Sequence, residues 1–104
     1  MKEEIKDKWV SALDSGEFKQ TRGVLSDGDY HCALGVLCEL AYREGVVEKS
    51  TDLSVVSFNG EMAMPPQSVK IWAGIGRLGA NVVSGMNDDG ADFHTIALYI
   101  KENL

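Results

Sequence analysis

The most reactive side chains in this sequence are two thiols and two imidazoles: Cys32, Cys38, His31 and His94. Cys32 opens an apolar run, Cys32-Ala33-Leu34-Gly35-Val36-Leu37-Cys38, that reads as the beginning of a helix. A thiol at a helix N-terminus has its pKa lowered by the dipole, and beside an imidazole it could act as a nucleophile. His31 is adjacent in sequence, but neighbouring side chains diverge, so it is a poor base for Cys32. Cysteine is also among the most commonly buried residue types. Both thiols are therefore expected to be packing groups, and no catalytic residue is assigned.

The same groups make a poor metal site. Zinc motifs space their ligands as C-x2-C or H-x3-H. Cys32 and Cys38 are six positions apart, which on a helix turns them about 120° from each other. The rise between them, about 9 Å, also exceeds the roughly 7 Å limit for a disulfide. Asn87-Asp88-Asp89-Gly90-Ala91-Asp92 superficially suggests a calcium loop. The twelfth position counted from Asn87 is Leu98, however, where a glutamate is required. An Asx-rich turn feeding a helix cap at Asp92 is expected instead. Gly74-Ile75-Gly76-Arg77-Leu78-Gly79 does not qualify as a phosphate fingerprint, because the element before it reads as a helix and not a strand. Neither a Walker A sequence nor G-x-S-x-G occurs. No cofactor and no metal is expected.

The elements that must position these residues follow from periodicity. Residues 3–15 read as a helix with Ile5, Trp9, Ala12 and Leu13 on one stripe, stopped by Ser15-Gly16. Residues 18–31 read as a β-hairpin turning at Ser26-Asp27-Gly28-Asp29, with Gly23 marking a bulge or a close backbone approach. Residues 32–44 form a second helix, apolar around most of its circumference and so central, ended by Gly45. A second hairpin is expected over 53–64, turning at Asn59-Gly60. Pro65-Pro66 ends it, and a short helix follows near 66–73 with Val69, Ile71 and Trp72. The glycine-punctuated segment 74–91 reads as loop with a short strand near Val82-Val83. A final helix begins at Asp92 and carries Phe93, Ile96, Ala97 and Ile100 on one face. The expected fold is thus α+β, a single domain over 1–104. About three main helices pack on a small antiparallel sheet built from two hairpins. The Leu34, Leu37 and Ala41 face is expected to meet both the first and the last helix. Trp9, Trp72, Tyr42 and Tyr99 are expected chiefly in the core, with one or two left for a contact surface.

Composition bounds the partners. The chain has 104 residues, enough for one core, and carries 16 acids against 10 bases for a net charge of −6. This disfavours nucleic acid and anionic membranes, which demand clustered Lys and Arg. The acids are scattered rather than blocked, so a solvated surface is preferred to mimicry of DNA. The longest apolar stretch is too short to span a bilayer, and the N-terminus shows no signal core, so a cytoplasmic location is expected.

Several segments together form a pattern: Trp9 to Gly16, Phe18-Lys19-Gln20, Gly23-Val24-Leu25, Cys32 to Cys38, Trp72-Ala73-Gly74, Asn87-Asp88 and Phe93 to Ala97. The set resembles a family of short, uncharacterised open reading frames common in tailed bacteriophages and prophages, over most of the chain. The resemblance implies a setting, the bacterial host cytoplasm during infection or lysogeny, and transfers no catalytic residue. Members of that family often carry a second cysteine where this chain has Ala33, and commonly lack a histidine at the His94 position. Both departures weaken a cysteine- or histidine-based mechanism. The leading expectation is a non-enzymatic accessory protein that binds a host or phage protein, with inhibition of a bacterial defence system as one such role. The alternative is a small-molecule or nucleotide-binding module, with 74–91 as a pocket rim and Arg22 or Arg77 meeting an anion. A cysteine-dependent enzyme built on Cys32 is third.

Overall fold

The first helix, α1 (Glu3–Asp14), forms where Ile5, Trp9 and Leu13 recur on one face, and all three are buried. The computed structural model describes residues 1–104. Four further helices follow: α2 (Ala33–Arg43), α3 (Gln67–Ala73), α4 (Arg77–Asp88) and α5 (Phe93–Asn103). Five short strands complete the α+β fold: β1 (Lys19–Gln20), β2 (Ser26–Asp27), β3 (Tyr30–His31), β4 (Lys49–Asp52) and β5 (Val55–Phe58). No helix is long and apolar enough to cross a membrane.

The central helix is α2. Ala33, Leu34, Val36, Leu37, Cys38 and Ala41 are all buried. It packs on α1 and α4, while α1 packs most extensively on α5. The expected broad contact of α2 with the last helix is therefore replaced by α5 lying against α1 and α4. Trp9 links the layers, since its indole N–H donates to the Ala33 carbonyl at 2.9 Å and is thereby satisfied. Asp92 caps α5 by accepting from the Thr95 N–H at 2.8 Å, as the sequence predicts.

Several expectations need correction. Segment 77–88 is a twelve-residue helix, not loop with a strand. Gly79 and Gly85, two adjacent valines and the polar Ser84 and Asn87 hide its apolar stripe, which is Ala80, Val83 and, unusually, Asn87. The sheet, in the order β1-β3-β2-β5-β4, is mixed and not purely antiparallel, because β1 runs parallel to β3. Residues 21–25 do not extend one hairpin arm but cross over between β1 and β2. The true turn of the first hairpin is Gly28-Asp29. The second hairpin is β4–β5, turning at Leu53-Ser54. Asn59-Gly60 does make a tight turn with both φ positive, but beyond it only Glu61 pairs, with Phe58.

Register sorts the sheet residues onto two faces, since directly opposed residues point the same way. Gln20, His31 and Ser26 form one row across β1, β3 and β2, and Val56 and Phe58 lie on that same inner side against the core. Lys19, Tyr30, Asp27, Val55 and Asp52 form the next row, across all five strands and on the opposite side. Each of these five is exposed. The helices thus cover one face of the sheet, and the other face is bare.

Candidate functional site

Cys32 is the N-cap of α2, and its Sγ accepts from the Gly35 N–H at 3.3 Å. Burial pushes its pKa up despite that bond, and burial likewise pushes the Cys38 thiol well above the usual range. No imidazole faces Cys32. His31 is on the inner row of the sheet, whereas Cys32 lines a cavity of about 130 Å³ with Met64, Ser84, Asn87 and Asp88. His94 is exposed at the start of α5, where its Nδ1 lies 3.1 Å from Asp14. The structure therefore brings none of the sequence-derived Cys–His candidates together, and no three His, Cys, Asp or Glu groups converge as metal ligands. Alkylation of either thiol by iodoacetamide at pH 8 is expected to be at least about 100-fold slower in the folded protein than in urea. Rapid labelling of native Cys32 would restore it as a nucleophile.

Asn87 is the hub of a polar network that sequence reasoning treated as turn. Its Oδ1 accepts from Gln20 Nε2 at 2.9 Å and from the Ala33 N–H at 3.1 Å. Its Nδ2 donates to the Thr21 carbonyl at 2.8 Å. Arg22 donates from Nε to the Asn87 carbonyl at 3.0 Å, so this guanidinium helps close the C-terminal end of α4. The Gly23 N–H reaches Asp88 at 3.3 Å. Arg77 lies elsewhere, beside Lys70 at the α3–α4 turn. Of the expected glycine-rich rim at 74–91, Gly74, Ile75, Gly76 and Arg77 do line an open recess together with Lys70, while most of the remainder is the helix α4.

A charged cleft lies at the inner side of the sheet edge. Glu39 of α2, only 8% exposed, receives both a 2.9 Å and a 3.0 Å hydrogen bond from Lys49 of β4. His31 Nε2 stands 3.9 Å from the same carboxylate. His31 and Lys49 together hold the Glu39 carboxyl at about 2, against the upward push of burial. The ammonium is the tighter hold, because 3.9 Å is beyond hydrogen-bond reach. Lys49 also sits 4.6 Å from the Tyr42 ring centre. An inward-turned lysine on an edge strand guards that edge against pairing with another chain. A carboxyl held below its ordinary pKa adds stability that is complete above that ordinary value and disappears as pH falls through its folded one. Glu39→Gln is therefore expected to cost on the order of 2–3 kcal/mol at pH 6, with the gap to the parent closing as pH falls from about 4.5 towards 2. Urea midpoints across that range measure it, and a gap independent of pH would contradict the assignment.

The bare outer face is the remaining candidate. Leu53 at the β4–β5 turn is 91% exposed, Met62 51%, Tyr30 47% and Val55 38%. Leu53, Val55 and Met62 line one shallow recess floored by Ser50 and Ser57, with Asp52 its only charged member. Both turn residues have positive φ, 50° at Leu53 and 70° at Ser54. The turn is held firmly, since Ser54 donates from Oγ to Asp27 at 3.1 Å and its carbonyl accepts from the Gly28 N–H at 2.9 Å. Sequence reasoning missed this tip because Leu-Ser carries none of the Asn-Gly chemistry that announces such a turn.

A family model, domain of unknown function (DUF8296), matches residues 1–104. The chain belongs to the DUF8296 family. No curated protein and no solved structure matches it. Membership in DUF8296 thus assigns no residue a role, and the geometry of the bare face carries the functional reading.

Proposed function

We propose that this protein acts without catalysis, by docking on another protein through the outer face of its sheet, with Leu53 as the anchor. One observation carries the reading: a leucine, 91% exposed, is held at φ 50° on a tip tied to the neighbouring hairpin. A left-handed residue costs about 1–2 kcal/mol unless it is Gly, Asn or Asp, and such turns are best served by Asn-Gly. Folding gives no reason to keep leucine there, whereas an exposed apolar patch that meets a partner does. Val55 and Met62 extend the apolar area around it. The resemblance to short phage and prophage proteins supports a setting in the bacterial cytoplasm and a host or phage protein as partner. Interference with a host defence system is the extension of that setting.

The test uses Leu53→Asn, which suits the backbone better than leucine does. It is expected to raise stability by about 0.5–1 kcal/mol. It is also expected to abolish recovery of a stoichiometric partner when the tagged protein is incubated with bacterial lysate. Equal recovery by Leu53→Asn and the parent would defeat the reading, and the gain in stability removes misfolding as an explanation for loss.

A further inference from the structure

The charges on the outer face say what kind of surface it fits. In the row across the sheet, Asp27 and Asp52 flank Val55 directly, one from each neighbouring strand. Both carboxylates are exposed, and neither makes a salt bridge. The cation closest in sequence to Asp52, Lys49, points to the inner face and is bound by Glu39. Lys19 shares the outer row but lies at its far end on β1, beyond β3 and β2, with its ammonium 5.7 Å from the Tyr30 ring centre. The apolar centre of Leu53, Val55 and Met62 is thus bordered by uncompensated negative charge, within a chain whose net charge is −6.

We infer that the partner is a protein presenting an apolar recess bordered by lysine or arginine, which receives Leu53 while its cations meet Asp27 and Asp52. The inference rests on the docking reading above and adds the chemistry of the partner. Complementary charges at an interface rim set register and speed encounter, and they are weakened by salt. A second copy of this chain is disfavoured as the occupant, because stacking the two faces would oppose like charges around the same recess.

The experiment compares the tagged parent, the Asp27→Asn/Asp52→Asn double variant and Leu53→Asn in bacterial lysate at 50 and 500 mM salt. A photo-crosslinking residue at Ser50, on the same face, marks what touches the recess. The Asp27→Asn change keeps a side-chain oxygen that accepts the Ser54 hydroxyl, so the tip retains its geometry in the double variant. The expected result is partner recovery lowered about fivefold by the double variant and by high salt, with the crosslinked peptide of the partner rich in Lys or Arg. Recovery that is lost in Leu53→Asn but indifferent to the double variant and to salt would overturn the charged partner while leaving the docking face standing. A crosslink only to another copy of the same chain would also overturn it. Absence of any adduct at Ser50, with recovery unaffected by Leu53→Asn, would remove both.

Discussion

Gly35→Ala is expected to destabilise the protein by about 3–5 kcal/mol, although alanine is the better helix former. In an open helix the exchange gains about 1 kcal/mol. Here a Cβ on Gly35 would stand 1.7 Å from the Leu25 carbonyl oxygen and 2.6 Å from its carbon. Both obstacles are backbone, so no rotamer change relieves them. The same Leu25 carbonyl accepts from the Cys32 N–H at 3.1 Å, which pins the 21–25 crossover onto the start of α2. Making room would separate the helix from that crossover and open the tightly packed core. Gly85 on α4 supplies the contrast, since a Cβ there meets nothing within 4 Å. Gly85→Ala is expected to stabilise by about 0.5–1 kcal/mol. Urea unfolding of the two variants should move in opposite directions; stabilisation by both would mean that α2 does not lie this close to Leu25.

Asn87→Ala should cost about 3–4 kcal/mol. Asn87 is 1% exposed, and its amide serves three partners, the consecutive residues Gln20 and Thr21 and, at the start of α2, Ala33. Truncation leaves the buried Ala33 N–H and the Thr21 carbonyl without their partners, and each unsatisfied group costs about 1–3 kcal/mol. Asn87→Leu would match the apolar stripe of α4 better on paper, yet it should be as harmful, because the same two backbone groups remain unpaired. Chemical denaturation reads both. A cost below about 1 kcal/mol for either would mean the network tolerates its own removal and that water replaces the amide.

These two residues also show where the sequence is readable. α1, α2 and α5 follow from apolar spacing because each turns a continuous hydrophobic stripe inward, and Asp92 and Gly45 mark their ends in ordinary ways. α4 is obscured because a fully buried asparagine occupies a stripe position that periodicity expects to be apolar. The close approach at Gly35 leaves no trace in local pattern, since the atom that demands glycine lies ten residues upstream in a crossover. The parallel pairing of β1 with β3 is equally silent: two residues on each side carry no hydrophobic alternation to fix a register. The outer face escaped notice for a related reason. Its members, Tyr30, Leu53, Val55 and Met62, are scattered in sequence and are united only by strand order. The thiols and imidazoles, which attract attention first, are held apart by the fold.

Hydrogen exchange of the captured complex tests the docking face most directly. Amides in the segment 50–62 and around Tyr30 should slow markedly on binding, while those of the α3–α4 turn at 70–78, where Ile71 and Leu78 are also exposed, should exchange as in the free protein. Protection confined to that turn, or to the Glu39–Lys49 cleft, would show that the partner sits elsewhere and that Leu53 is not its anchor.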